Sequence, residues 1–244
     1  MAGGGGLLTA SLSQAQSSAE LGVALRSVLA SPNEGFSTIV RAAEMRSSAG
    51  LKPAEGVTPY ALGWLGGAAL MALWLKFGGL IGVRDVHAAQ FGWSALIAAL
   101  VFGGLVAVAV QIAWSTVGAL LVRRLGGASS ASARDLRLVW GAAALPQLIA
   151  VFVLLPLDVL FLGRGSFTSD RLVDPLATVW AATSIALAFS LAAWSVWLFV
   201  TGVKTTSDLD TTRAIGVAAS ALVALAAITT VLVVAAKLLA SASS

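Results

Sequence analysis

Two ionisable residues, Lys76 and Asp158, lie inside long apolar stretches of this sequence and are its first candidates for chemistry. A charged side chain at membrane depth is costly, so it usually pairs, reaches the interface or serves transport. Lys76 lies about sixteen residues into its stretch and Asp158 about twenty, so their depths differ by roughly 6 Å. Three interpretations stay open: the side chains snorkel to the outer interface, form a structural ion pair, or line an ion or proton path.

Two glutamines, Gln111 and Gln147, are the other polar residues deep in the apolar stretches. They fall at a similar predicted depth, which would allow a hydrogen bond between their two helices. Such bonds contribute only about 0.6 to 2 kcal/mol in membranes. We therefore interpret this pair as a packing contact, with a substrate site as the alternative.

Sets of residues that are typical of catalysis or metal binding are missing from the sequence. His87 is the one histidine and there is no cysteine, which excludes the usual zinc sites and every thiolate mechanism. No apolar stretch offers a serine with a histidine partner, and no glycine-rich phosphate loop is followed by Lys-Ser or Lys-Thr. The sequence therefore predicts no enzymatic activity, no metal and no other cofactor.

The composition of the whole chain is that of a membrane protein. Of its 244 residues, 58% are hydrophobic and 11% are charged, with a mean hydropathy of +0.93. Soluble domains carry roughly a quarter charged residues. The net charge is only +4, so the pI of about 10.1 reflects cations that flank membrane spans and does not indicate nucleic-acid binding. Abundant Ala and a preference for Arg over Lys are typical of a GC-rich prokaryotic genome.

Several apolar runs reach the length of about 20 residues that crosses a bilayer as an α-helix. We therefore predict an all-α fold, a polytopic transmembrane helix bundle of five spans, in a membrane domain covering residues 58–240. The predicted spans cover residues 60–83, 93–122, 138–163, 177–203 and 214–239.

Prolines and small residues inside the spans indicate how this bundle packs. Pro146 and Pro156 remove backbone hydrogen bonds and predict a kinked third span. Gly103 and Gly104 predict a tilt or kink in the second. Small residues at every fourth position favour close helix approach, within one bundle or in a homodimer. These small residues are Gly63 and Gly67, Ala99 and Gly103, Ser184, Ala188 and Ala192, and Gly216, Ser220 and Ala224.

The region before the spans is more polar. Residues 1–18 are rich in Gly, Ser and Gln and lack the features of a signal peptide, so we expect a flexible tail. Residues 19–57 are predicted to form two short amphipathic helices, the second with a capping-box start at Ser31 and Glu34. Neither helix is long enough to span. They either lie at the membrane interface or form a small cytoplasmic cap.

The distribution of Lys and Arg predicts the orientation, because cations concentrate on the cytoplasmic side. With the N-terminus inside, the inner segments hold Arg26, Arg41, Arg46, Lys52, Arg123, Arg124, Arg134, Arg137, Lys204 and Arg213. The outer segments hold only Arg84, Arg164, Arg171 and Lys237. We therefore expect a multi-pass protein of the cell membrane with a cytoplasmic N-terminus and an external C-terminus. Aromatic residues near the predicted span ends, including Trp140 and Trp180, are expected in interfacial belts.

The order of these parts resembles the Yip family, named for Ypt/Rab-interacting proteins. Three segments carry the likeness: SVLASPNEGFSTIV, LRLVWGAAALPQLIAVFVLLPLD and WSVWLFVTGVKTTSDLDTTRA. The last reads as a mixed-charge hairpin of about ten polar residues between the fourth and fifth spans. The resemblance covers about residues 27–235 and implies a five-helix membrane protein of the prokaryotic type, from a family without established enzymatic activity. This chain reads GLKPAEGVTPY where eukaryotic members carry an acidic motif of the Asp-Leu-Tyr-Gly-Pro type, so the likeness does not extend to GTPase binding.

These observations lead to two expectations for function. The first is a non-enzymatic scaffold, membrane organiser or partner-binding module in the lipid bilayer, acting as a homo-oligomer or with another membrane protein. The alternative is a small transporter or channel component with a polar path near Lys76 and Asp158.

Overall fold

The structure is a computed structural model, and it confirms the all-α class. Among the residues that it describes there is no strand, and nearly all are helical. The predicted tail, His87 and most of the predicted fifth span lie outside these residues. The described residues are 23, 26–48, 58–80, 92–128, 131–167, 174–221, 223, 227 and 230.

The chain divides into two compact units, residues 1–54 and 55–244. In the first unit, helix α1 covers Pro32–Ser48 and has Glu34 in its first turn. Pro32 suits this start because the N–H that proline lacks would be unpaired there anyway. Residues 26–30, just before α1, are also helical.

The second unit contains helices long and apolar enough to cross a membrane. The described part holds four such stretches: Pro59–Gly78, Trp93–Arg124, Ala133–Leu162 and Pro175–Ser207. Helix is also found at residues 211–221, where the predicted fifth span begins. The class is therefore a multi-pass membrane helix bundle, and its fifth span stays a prediction. The helices are α2 (Thr58–Leu80), α3 (Trp93–Arg124), α4 (Ala133–Ala143), α5 (Leu145–Ile149), α6 (Leu155–Leu162), α7 (Pro175–Ser207) and α8 (residues 211–221).

Helices α2 and α3 pack with their backbones in close contact. A Cβ atom at Gly103 would lie 2.8 Å from the Gly67 carbonyl oxygen and 2.6 Å from the Met71 Cβ, so no larger residue fits without movement. Helix α3 continues through Gly103 without a break. Its small residues therefore bring two helices together, as small residues do where lipid supplies no hydrophobic drive for association.

The third apolar stretch is interrupted at two places, each next to a proline. Ala144 separates α4 from α5, and a π-helical turn at Ala150–Leu154 separates α5 from α6. Pro146 and Pro156 each lie in the first turn of the following segment, so the helix changes its hydrogen-bonding pattern just before each residue that lacks an N–H.

The predicted hairpin between the fourth and fifth spans is shorter than the sequence indicated. Helix α7 continues to Ser207, Asp208 follows with a left-handed φ of 51°, and helix resumes at residue 211. The helices therefore extend beyond the predicted span limits at 203 and 214, because hydropathy detects the apolar core whereas helical hydrogen bonds continue into polar residues. The Ala128 N–H donates to the Ser207 carbonyl at 2.8 Å, which fixes this helix end against the loop after α3.

Helix α4 likewise begins before the predicted limit of residue 138. It starts at Ala133 behind a complete capping box, in which Ser132 and Asp135 each bond the other's backbone N–H. This cap satisfies helix N–H groups in a polar sequence that a hydropathy criterion does not count.

Candidate functional site

A buried group of polar side chains joins three of the apolar stretches. Lys76 on α2 forms a salt bridge with the Asp158 carboxylate on α6. The Lys76 ammonium also donates to the Ser184 hydroxyl of α7 at 2.9 Å. The indole N–H of Trp180, one turn before Ser184, donates to the other Asp158 oxygen at 3.1 Å. We call Lys76, Asp158, Trp180 and Ser184 the polar cluster.

The charged members of the polar cluster are enclosed by protein. The exposed fraction is 6% for Lys76, 0% for Asp158 and 1% for Ser184. Neither charged side chain snorkels to the interface, although the sequence allowed that interpretation. The structure brings the two predicted polar residues together as an ion pair instead.

Local structure explains why these side chains meet. Asp158 follows the π turn and Pro156, so its direction depends on the extra residue that the turn adds to the helix. Trp180 and Ser184 are four residues apart and therefore lie on the same face of α7. Two hydrogen-bonding side chains four residues apart in an apolar helix are the sequence signal that could have identified Trp180 and Ser184 as partners of the buried charges. The sequence analysis instead predicted Trp180 in an interfacial belt.

An apolar layer lies one helical turn from the polar cluster on the same three stretches. Leu73 precedes Lys76 by three residues, Leu154 precedes Asp158 by four, and Ala188 follows Ser184 by four. These residues form one buried cluster with Ala69 and Ala150. The close packing of this layer fixes the helices at the distance the polar contacts require.

The two glutamines do not bond to each other, so that prediction was wrong. The Gln111 side-chain amide donates to the Pro59 carbonyl at 3.2 Å and to the Arg137 carbonyl at 3.0 Å. The Gln147 amide donates to the Ser195 hydroxyl of α7 at 3.2 Å. Similar depth in the sequence did not bring them together, because depth says nothing about the direction in which a helix presents a residue.

Gln111 is a link between three helices. It is fully buried, and its two acceptors lie near the start of α2 and within α4. Its side-chain oxygen is buried without a hydrogen-bond partner. An unsatisfied buried oxygen typically lowers the free energy of unfolding by about 1–3 kcal/mol. The two hydrogen bonds donated by the Gln111 amide offset this cost of burial.

An aromatic group lies between α3, α4 and α7. The ring centroids of Trp114, Trp140 and Phe199 are 4.9 to 5.6 Å apart in tilted and edge-on arrangements. The Trp114 indole N–H donates to the Ser220 hydroxyl at 3.0 Å, which adds α8 to this contact. Trp140 is half-buried and packs against rings of two other helices, and its position in the interfacial belt stays a prediction.

Within the described part of the chain, no three His, Asp or Glu side chains come together as metal ligands. Each charge of the polar cluster is matched by a partner on another helix.

No family model, curated protein or solved structure matches this chain. The likeness to the Yip family therefore remains a resemblance of three sequence segments. The structure supports the broader class of a multi-pass membrane helix bundle.

Proposed function

We propose that this protein is a non-enzymatic membrane protein of the Yip type that acts as a scaffold, membrane organiser or partner-binding module. It lies in the cell membrane with its N-terminus in the cytoplasm. Its partners are the lipid bilayer and a second copy of the chain or another membrane protein.

The observation that carries this proposal is the saturation of the polar cluster. Lys76 is bonded to Asp158 and Ser184, and the second Asp158 oxygen is bonded to Trp180. A transport path needs a polar group that exchanges its partner for a water or an ion during each cycle. Here the partners come from three different helices, so each exchange would break contacts that tie these helices together.

A transporter or channel component is the second candidate, and one observation favours it. The π turn at Ala150–Leu154 directly precedes the segment that carries Asp158. Single π turns inside helices occur frequently at functional sites. A shift of this turn would rotate Asp158 away from Lys76 and open the polar cluster.

Ion flux in proteoliposomes separates the two candidates. The liposomes contain a pH-sensitive dye, and a K⁺ gradient with valinomycin imposes a membrane potential. The scaffold proposal expects a proton flux equal to that of empty liposomes, for the wild type and for Asp158→Asn and Lys76→Met.

A wild-type flux that Asp158→Asn abolishes in a folded bundle would overturn the scaffold proposal. Folding is checked by size-exclusion chromatography and by the helical circular-dichroism signal. Trp197→Phe serves as a control, because Trp197 is exposed and on the same helix as Trp180.

A further inference from the structure

Helix α2 is the most enclosed by protein among the four apolar stretches. In the apolar part of α2, 56% of the positions are buried, whereas the share is 17% for Pro175–Ser207. Two adjacent glycines admit two neighbours: a Cβ atom at Gly66 would lie 2.9 Å from the Ala144 Cβ, and Gly67 touches α3. The Lys76 side chain bonds to α6 and α7. More of α2 is therefore covered by the rest of the chain than of any other stretch in the described part.

The same helix is the least apolar of the four stretches, and it comes first in the chain. It carries one cation, Lys76, and five glycines, which have no side chain to bury in lipid. A lysine inside a span opposes insertion into the bilayer. Its counter-charge Asp158 follows 82 residues later and the hydroxyl of Ser184 follows 108 residues later. When α2 has just been synthesised, the groups that offset its buried cation therefore do not yet exist.

The other member of the ion pair is in a different situation. Asp158 belongs to the stretch Ala133–Leu162, which is clearly more apolar than α2 although it contains this acid. The third span can therefore insert by its own apolar length. The dependence of one span on the other runs from α2 to α6.

We propose that α2 takes its membrane-spanning position only after later helices of the same chain have inserted. Helix α3 supplies the surface against which Gly67 packs, and α6 and α7 supply the partners of Lys76. The glycine and lysine positions of α2 are thus a docking surface, and its partner is the rest of the chain. The first helix to be synthesised is the last of these four to become fixed.

The inference rests on the orientation given in the proposed function and is independent of the scaffold role. Gly92 precedes α3 and Leu125 follows it, so cysteines at these two positions report the two ends of that span. In the wild type, Gly92→Cys should react with a membrane-impermeant maleimide in intact cells and Leu125→Cys only in inside-out vesicles. The reverse pattern would refute the orientation, and the labelling of Gly92→Cys would then be measured from the cytoplasmic side.

The test measures the fraction of Gly92→Cys that reacts in intact cells, relative to its reaction in detergent. Asp158→Leu should lower this fraction at least about twofold, because it leaves the cation of α2 without a counter-charge. Lys76→Met/Asp158→Leu should restore it. Pro175→Cys should keep its external labelling in both variants, since the third span that leads to it inserts by its own length.

The matched control is Asp174→Leu, which removes an exposed acid just before α7 and outside the polar cluster. It should leave the labelling of Gly92→Cys unchanged. Wild-type labelling in Asp158→Leu would show that α2 inserts alone, with Lys76 reaching the interface, and would overturn the proposal. An equal loss at Gly92→Cys and Pro175→Cys would mean general misassembly and would overturn it too.

A measurement without a substitution in the polar cluster decides the matter if Asp158→Leu is degraded. The chain with Gly92→Cys is synthesised without cells in the presence of inside-out membrane vesicles, and the products are separated by length after maleimide treatment. Gly92→Cys should be protected inside the vesicles in full-length chains and reactive in chains that end before residue 158. Protection in the shorter chains would show that α2 spans before α6 exists and would overturn the proposal.

Discussion

At the scale of single residues, the buried charges of Lys76 and Asp158 depend on each other. A charge taken out of water has a large desolvation penalty that only a close partner and further hydrogen bonds offset. Asp158 has both, since it accepts from Lys76 and from Trp180. Removing one partner of such a pair is more harmful than removing both.

Asp158→Leu should therefore lower the free energy of unfolding by about 3–5 kcal/mol, because it leaves the Lys76 ammonium buried without a counter-charge. The double variant Lys76→Met/Asp158→Leu should recover most of that loss. Unfolding in mixed micelles with increasing SDS, followed by circular dichroism, measures both. A double variant that is as unstable as Asp158→Leu would show that the pair is not the source of the loss.

Trp180→Phe should lower the free energy of unfolding by about 1–3 kcal/mol. The substitution keeps an aromatic ring against Phe161, whose centroid lies 5.2 Å away, but removes the donor to Asp158. The same SDS titration applies. Trp197→Phe changes a side chain that is 54% exposed, and a loss of equal size there would mean that the Trp180 hydrogen bond contributes nothing.

At the scale of elements, packing is set by where small residues let backbones touch. Gly67 and Gly103 bring α2 and α3 into contact, and Ser184 and Ala188 bring α7 to the polar cluster and its apolar layer. On α7, Ser184 thus supplies a hydroxyl to Lys76, and Ala188, one turn later, packs in the apolar layer.

Gly103→Val should lower the free energy of unfolding by about 1–3 kcal/mol or more, because its side chain would overlap Met71 and the Gly67 carbonyl. Gly216→Val is the control, since a Cβ atom at Gly216 meets nothing within 4 Å. Thermal unfolding monitored by circular dichroism compares the two. Similar losses would indicate that valine lowers helix stability by itself and that the α2–α3 contact is not tight.

At the scale of the whole molecule, the predicted orientation gives each connection a side of the membrane. The loop after α3 and the start of α8 lie together, since the Arg213 guanidinium donates to the Leu125 carbonyl at 2.9 Å. The C-terminal end of α7 also lies at the loop after α3, through the bond from Ala128 to Ser207, so the start of α7 at Pro175 lies at the opposite end of α7. A sequence without cysteine makes single-cysteine labelling direct.

Leu125→Cys should react with a membrane-impermeant maleimide only in inside-out vesicles, and Pro175→Cys only in intact cells. Both positions are exposed, so access is decided by the membrane. The reverse labelling pattern would refute the cytoplasmic N-terminus, and labelling of both residues from one side would contradict the number of spans between them.

The sequence by itself determined the class of this protein, because apolar length is a local property that each span carries alone. It also placed Lys76 and Asp158 at compatible depths, since depth follows from counting residues along a helix. It predicted helix ends less well: α7 and α4 extend into polar residues, as at Ser207 and Ala133, where caps and hydrogen bonds stabilise helix without apolar character.

Only the tertiary structure decided which side chains meet. Depth left the choice between snorkelling and pairing open for Lys76, and it wrongly joined Gln111 to Gln147. The deciding quantity is the direction in which each helix points its side chains. That direction depends on the glycine contacts between helices and on a π turn that shifts Asp158 relative to the residues before it. Those directions arise from packing between helices that are far apart in the chain, and residues such as Trp180 acquire their partner only once that packing exists.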